Sequence, residues 1–241
     1  MKTCFVTGGS RGLGREIVLA FGRAGYSVAF CYKEDHTAAE QTRRCADVVS
    51  SQLLSFQCDV SDSRSVGEVF SELQSSWSQL DILVNNAGIT SNRLMASQSV
   101  AAWEAVVATN LSGTFNCMRE GAAWMCESGG GHIINVSSIS GIRGREGQTA
   151  YAASKAGVVG LTKAAAIELG KSNVRVNVLL PGLLPTSMGE SITAQQKEKQ
   201  LSSSVLDRGG DMREVAQFVV NLGEMENVSG QVFNIDGRVL P

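Results

Sequence analysis

Tyr151 precedes Lys155 by four residues in the segment TAYAASKAG, residues 149–157. On a helix that spacing puts both side chains on one face, phenol beside ammonium. A free phenol titrates near ~10 and exchanges protons poorly at neutral pH. A neighbouring cation favours the phenolate and lowers that value, bringing it toward what general acid–base chemistry needs. Ala152, Ala153 and Ser154 between them are small enough to let ligands come close. Ser138 stands where the strand-like HIINVS ends, and its hydroxyl can hold a carbonyl oxygen. Many ordinary helix surfaces carry a Tyr–Lys pair at this spacing, so its meaning depends on what surrounds it.

A second chemistry-bearing stretch lies near the N-terminus. VTGGSRGLGREI, residues 6–17, joins a strand-like run to a helical one. Gly8, Gly12 and Gly14 allow a tight turn and close approach of a ligand to the backbone. The helix that follows offers unpaired N–H groups to a phosphate. Arg11 lies inside this loop and Lys33 directly follows the second strand-like run, with Glu34 and Asp35 only after it. A cation at that position suits a ribose 2′-phosphate, whereas an acid there suits a 2′-hydroxyl. The pattern therefore points to NADP(H).

These residues need elements to position them. Strand-like runs fall near 2–7, 27–32, 53–58, 80–85, 132–137, 174–180 and 231–236, with helical patterns near 12–24, 37–50, 63–77, 100–126, 150–170 and 211–222. The strands are mostly apolar rather than alternating, as in a parallel sheet covered on both faces. Strand–helix alternation along the whole chain predicts an α/β fold: a doubly wound, mostly parallel, seven-stranded Rossmann-type sheet with helices on both faces. Residues 1–241 read as a single nucleotide-binding domain, without repeats or linkers. In such a sheet ligands sit outside the carboxyl ends of the strands. The glycine loop, the NNAG at 85–88, Ser138 and the Pro181–Gly182 turn all fall at such ends. Residues 186–210, polar and irregular, are expected to form a mobile lid.

Composition narrows the function classes. A net charge of −2, without a run of Lys or Arg, disfavours a nucleic-acid or membrane surface. No stretch approaches the ~20 apolar residues of a membrane span. Met1-Lys2-Thr3 enters a strand at once and leaves no room for a signal peptide. The six cysteines form no C-x-x-C pair, and Cys4, Cys31 and Cys58 lie in apolar runs where a free thiol acts as a small hydrophobe. With two histidines in the chain, no metal site is expected. A reduced, cytoplasmic protein is the expectation.

Taken together, Thr7-Gly8…Gly12-Leu13-Gly14, Asp59-Val60, Asn85-Asn86-Ala87-Gly88, Asn110, Ser138, Tyr151-x-x-x-Lys155 and Pro181-Gly182 with Thr186 resemble the short-chain dehydrogenase/reductase family over essentially the whole chain. NNAGIT, GQTAYAASKAG and the closing SGQVFNIDG are most similar to the 3-oxoacyl-(acyl-carrier-protein) reductases and their acetoacetyl-CoA reductase relatives. The resemblance implies that Tyr151 is the acid that protonates the nascent alkoxide, and that Lys155 lowers its pKa and binds the nicotinamide ribose. Ser138 polarises the carbonyl, and Asn110 holds a water that links Lys155 to solvent. Ser10, Arg11, Gly12 and Leu13 surround the cofactor phosphates, with Arg11 and Lys33 near the 2′-phosphate. Asp59 and Val60 flank adenine, Asn86, Ala87 and Gly88 line the adenosine side, and Pro181, Gly182, Leu184 and Thr186 hold the nicotinamide end. Ile139 and Gln148 are candidate substrate contacts.

The resemblance also implies subunit pairing through the helices near 100–126 and 150–170, as a homodimer or homotetramer. The substrate it implies is a 3-oxoacyl thioester on CoA or on an acyl carrier protein, in lipid or fatty-acid metabolism. Related reductases often place basic residues for an acidic carrier just before the serine-bearing strand. Here that stretch reads Glu127-Ser128-Gly129-Gly130-Gly131-His132. A small-molecule ketone of another kind thus stays open as the substrate, as does a nucleotide-binding subunit without catalysis.

Overall fold

Thr3–Thr7 (β1) is buried along its whole length, and its neighbours in space come from distant parts of the chain. The structure, a computed structural model, describes residues 1–46, 52–185, 204–206 and 208–238. Within them β1 leads to α1 (Gly12–Arg23), β2 (Ser27–Tyr32), α2 (His36–Ala46), β3 (Leu53–Gln57), α3 (Ser63–Ser76) and β4 (Ile82–Asn85). The second half holds α4 (Val100–Val107), α5 (Gly113–Glu127), β5 (Gly131–Val136), α6 (Ser140–Arg143), α7 (Thr149–Leu169), β6 (Val174–Leu180), α8 (Met212–Gly223) and β7 (Val232–Asn234). All seven strands are parallel, in the order β3-β2-β1-β4-β5-β6-β7.

Successive strand residues point to opposite faces, and each face buries its own set. Cys4, Val6, Val28, Phe30, Ile82 and Ile134 pack with Ile17 and Phe21 of α1 and Val215 and Val219 of α8. Phe5, Ala29, Leu83, Ile133 and Val176 pack with Phe70 and Leu73 of α3 and Met118 and Trp124 of α5, with Leu161 of α7 against them. Burial on both faces is why the strands read as apolar runs instead of alternating ones. Helix starts are specified locally. Asp62 accepts the Arg64 N–H at 3.0 Å, Ser99 the Ala102 N–H at 3.2 Å, and Asp211 the Arg213 N–H at 2.7 Å. These caps satisfy N–H groups that a helix leaves without internal partners.

The expected element boundaries hold to within a few residues, with three differences. The helix expected at 100–126 contains one wide, π-wound turn, Ala108–Ser112, between α4 and α5. The strands expected at 80–85 and 231–236 are shorter, because their outer residues turn into loops. Short helical turns at Met95–Ser97 and Ser140–Arg143 were invisible to periodicity, which needs more than one turn to register. The helix expected at 37–50 is described to Ala46, and most of the expected lid at 186–210 lies outside the described residues. Strand order reverses direction between β1 and β4, and that switch point opens the crevice where a doubly wound sheet takes its ligand.

Candidate active site

A cleft of about 1250 Å³ runs along the carboxyl ends of the strands. Its first wall is the loop between β1 and α1. Gly8 has φ +67° and Gly12 φ +55°, a region that side chains with a Cβ rarely adopt. At Gly14 the limit is space, since a Cβ there would lie 2.1 Å from the Gly8 carbonyl oxygen and 2.5 Å from Asn86 Nδ2. Thr7 ties this loop to the end of β4. Its hydroxyl accepts the N–H groups of Asn86 and Ala87 at 3.1 and 3.0 Å. Asn86 Nδ2 donates back to the carbonyls of Thr7 and Gly8 at 3.0 and 3.2 Å. Among the described residues no side chain caps the start of α1, and its first turn contains no acid. That leaves a bare helix N-terminus facing the cleft, the partial positive charge that suits a phosphate.

Both predicted cations line this end of the cleft, and each faces an acid. Lys33 Nζ lies 2.8 Å from Asp59 Oδ2, and Arg11 Nη1 lies 3.7 Å from Asp35 Oδ2. The hydrogen bond and charge of Asp59 hold the Lys33 ammonium above its ordinary range. Burial pushes Asp59 upward, but the bonds from Lys33 and Ser61 together pull it below the usual carboxylate range. Ser61 supplies two of them, its hydroxyl at 2.6 Å and its N–H at 3.0 Å.

At the other end Ser138, Tyr151 and Lys155 line one stretch of the cleft. Ser138 follows β5, while Tyr151 and Lys155 share a face of α7, as their spacing requires. Lys155 is buried and donates from Nζ to the carbonyl of Val136 at 2.7 Å, while Ser137 donates its hydroxyl to the Lys155 carbonyl at 2.7 Å. Burial holds the Lys155 ammonium down to about 8. Tyr151 departs from the expectation that its lysine lowers its pKa. Burial raises the phenol, and the hydrogen bond with Ser138 draws it partway back. Lys155 Nζ stands 5.8 Å from the centre of the phenol ring, so it reaches Tyr151 as a charge across a gap.

Asn110 lies fully buried in the π-wound turn, away from the cleft surface. Its Oδ1 accepts the Ile89 N–H at 2.8 Å, and its Nδ2 donates to the Ile89 carbonyl at 2.9 Å and to Ser154 Oγ at 3.1 Å. A Cβ on Gly88 would lie 3.2 Å from Asn110 Oδ1 and 3.5 Å from Lys155 Nζ, so the glycine keeps the two side chains close. Gln148 lines the cleft but is buried. It accepts the Ser140 hydroxyl at 2.9 Å and donates to Asn92 Oδ1 at 3.2 Å, which locks the loop after β4 to the loop before α7. Ile139 lines the cleft beside it, also buried.

Apart from Asn110 and Thr186, every residue expected at the site lines this single cleft, including Ser10, Leu13, Val60, Pro181, Gly182 and Leu184. Thr186 lies outside the described residues. The sequence reading missed Arg143, Arg145 and Arg238, which line the cleft too. Arg143 ends α6 and Arg145 follows it, and both could have been found by asking which charges precede Gln148. Nothing local marks Arg238, which folds back from beyond β7.

The fold and the cleft define a class of protein, and comparison with known sequences bears it out. The short chain dehydrogenase family profile matches residues 2–197, and the chain belongs to that family. It is 36% identical to the 3-oxoacyl-(acyl-carrier-protein) reductase FabG of Staphylococcus aureus (strain Mu50 / ATCC 700699), over 98% of this chain and 97% of that one. With the FabG of Thermotoga maritima it shares 38% identity, over 99% and 98% of the two chains. Among solved structures, levodione reductase superposes with a TM-score of 0.93 at 29% identity, covering 98% of this chain and 96% of that one. A Sinorhizobium meliloti 1021 protein described as a short-chain alcohol dehydrogenase superposes with a TM-score of 0.92 at 30% identity, covering 98% and 95%. The chain is thus an oxidoreductase of the short-chain family, closely related to the 3-oxoacyl-(acyl-carrier-protein) reductases. Among the described residues no helix is long and apolar enough to cross a membrane.

Proposed function

We propose that the whole chain is one NADP-binding reductase domain that reduces the keto group of a 3-oxoacyl thioester to the 3-hydroxyacyl thioester. The observation that carries this reading is the convergence of Ser138, Tyr151 and Lys155 on the cleft that also holds the glycine cradle. The cradle fits a dinucleotide. It has backbone where a Cβ would collide, a bare helix N-terminus, and two cations, Arg11 before α1 and Lys33 after β2, where a 2′-phosphate would lie. Bound there, NADPH supplies a hydride for the carbonyl carbon.

The protein's own residues do the rest. Gly8, Ser10, Arg11, Gly12, Leu13 and Gly14 hold the phosphates, with Lys33 and Arg11 at the 2′-phosphate. Asp59 and Val60 flank adenine, and Asn86, Ala87 and Gly88 line the adenosine side. Pro181, Gly182 and Leu184 would hold the nicotinamide end. Ser138 donates to the substrate oxygen and polarises the carbonyl, and Ile139 and Gln148 shape the pocket around it. As negative charge develops on that oxygen, Tyr151 transfers its phenolic proton to it. Lys155 lowers the cost of the phenolate left behind, because an ammonium in a desolvated pocket acts strongly across the gap. Asn110 fixes the Ile89 backbone beside Lys155 and keeps a proton path to solvent in register.

Three helices support a homodimer or homotetramer. Trp103, Phe115 and Ile167 on α4, α5 and α7 stay exposed, an apolar surface suited to a second copy. A cytoplasmic location and a carrier-bound or CoA-bound substrate follow from the same reading, with no part for nucleic acid or membrane. The test is loss of NADPH absorbance with acetoacetyl-CoA, run beside NADH and beside Tyr151→Phe. NADPH-selective turnover that falls about 10²–10⁴-fold in the variant supports the reading. A second reading, a ketone that carries no thioester, is favoured by the likeness to levodione reductase and by the acidic Glu127 where a carrier's basic docking residues are often found. NADPH binding without turnover of any 3-oxoacyl thioester would select it.

A further inference from the structure

The reaction just described leaves Arg15, in the first turn of α1, without a role. It is half-buried, and its shortest bond runs back to the glycine loop. Nη2 donates to the Ser10 carbonyl at 2.7 Å, and Nε donates to the same oxygen at 3.2 Å. Nη2 also reaches the Ala38 carbonyl of α2 at 3.1 Å and Gln41 Oε1 at 3.4 Å. Thr42 of α2 is fully buried beside it. Its Oγ1 accepts from Arg15 Nε at 2.9 Å, donates to the Ser10 carbonyl at 2.8 Å and lies 3.2 Å from the Ala38 carbonyl. Three donor atoms thus converge on one oxygen of the glycine loop, although its two lone pairs would be filled by two. A staple that merely joined α1 to α2 would need none of them there.

The direction of that oxygen matters because a peptide unit is planar and trans, so its N–H points opposite to its C=O. With the Ser10 oxygen drawn toward Thr42, the Arg11 N–H is directed away from α2. Among the described residues no hydrogen bond takes that N–H. It stands at the start of α1, and Ser10 and Arg11 both line the cleft. Gly9 is fixed as well. Its N–H donates to the Cys31 carbonyl at 3.0 Å, and a Cβ on it would lie 2.5 Å from Phe30 Cβ. The loop is therefore held against β2 at Gly9 and against α2 at Ser10, and Arg11 is the first residue past both holds.

We propose that Arg15 and Thr42 are positioning residues: by holding the Ser10 carbonyl toward α2, they aim the Arg11 N–H and the start of α1 at a cofactor phosphate. This inference rests on reading the cleft as a nicotinamide-dinucleotide site. Neither side chain lines the cleft, so both act through the loop.

Two variants test it. Arg15→Met keeps much of the stem and removes the donors. Thr42→Val keeps the shape of the side chain and the charge of Arg15, and removes only the hydroxyl. The Kd of NADPH, read by fluorescence titration, is expected to rise about tenfold in Arg15→Met and about threefold in Thr42→Val, as for lost hydrogen bonds of ordinary strength. Arg15→Lys, with an ammonium in place of the fork, is expected to fall between the unaltered protein and Arg15→Met. Because the loss is in cofactor binding, KM for NADPH should rise while kcat at saturating NADPH and KM for acetoacetyl-CoA stay within about twofold. The melting temperature without ligand should stay within a few degrees. An unchanged Kd in both folded variants overturns the inference and leaves the reductase reading intact. So does a Kd that rises in Arg15→Met alone, which assigns the effect to charge. A fall in kcat and melting temperature alongside the rise in Kd overturns it too, since a merely structural pair behaves that way. If NADPH binds but no 3-oxoacyl thioester is turned over, the substrate reading has failed, and Kd set against melting temperature decides the inference alone. If the unaltered protein binds neither NADPH nor NADH, both readings fall.

Discussion

Lys155 Nζ donates to the carbonyl of Val136 at 2.7 Å while standing 5.8 Å from the centre of the Tyr151 ring. The end of β5 therefore positions the ammonium, and the phenol experiences it as a nearby charge. This division of labour means that a lysine already desolvated, titrating near 8, must stay protonated for the tyrosine to work as proposed.

That requirement sets a pH dependence. Lys155 carries its charge below about 8 and loses it above. Reductase activity is expected to fall on the alkaline side with an apparent pKa near that value. Lys155→Met should reduce kcat by about a hundredfold or more and remove this limb. Rate–pH profiles of both proteins check it, and an identical limb in the variant would assign the titration to another group.

Lys33 is expected to decide between the two nicotinamide cofactors. Its pairing with Asp59 is largely solvent-exposed, and such pairs contribute only about 0–1 kcal/mol to stability. Lys33→Ala should leave the melting temperature within a few degrees. The preference for NADPH over NADH should drop about tenfold, equivalent to ~1.4 kcal/mol of 2′-phosphate binding. Steady-state kinetics with both cofactors measure this, and an unchanged preference would shift the role to Arg11.

Gly14→Ala tests the cradle. Its new methyl would lie 2.1 Å from the Gly8 carbonyl oxygen, and both that backbone and Asn86 would have to move. Overpacking of this kind costs about 1–3 kcal/mol. The expected outcome is a lower melting temperature together with a Kd for NADPH raised about tenfold or more, read by fluorescence titration. A variant that binds NADPH normally would show that the loop tolerates the shift.

His132 should make the fold acid-sensitive. It is fully buried at the start of β5, where Asn177 Nδ2 donates to its Nε2 at 2.8 Å. Burial, and then the charge of Arg175, hold it down to about 3. The unfolded chain takes up a proton at this residue below ~6.5, whereas the folded chain does not until about 3. Folding stability should therefore decline as pH falls through that window, by up to ~1.4 kcal/mol per pH unit from this group. Urea unfolding at several pH values should show a shallower decline in His132→Asn, and an equal slope would exclude His132 as the source.

Much of this was legible in the chain because it is local. Two-sided burial turned the strands into apolar runs, the glycines marked the turn after β1, and a four-residue spacing placed Tyr151 and Lys155 on one helix face. Fold class and the strand ends that border the cleft follow from patterns spanning a few residues and from the chirality of parallel connections, whereas the strand order was set by pairing across the sheet. What only the tertiary structure decided involves residues far apart in sequence or removed from water. The pairing of Lys33 with Asp59 depends on where β3 ends beside β2. The π-wound turn forms around the contacts of Asn110 with Ile89. The raised pKa of Tyr151 comes from desolvation, which no spacing encodes. The pairing of Arg238 with Asp236 exists only because the segment after β7 folds back against the Pro181–Gly182 turn. Propensity and periodicity act over one or two turns of chain, whereas charge proximity and dielectric environment arise only when the whole sheet and its helices have packed.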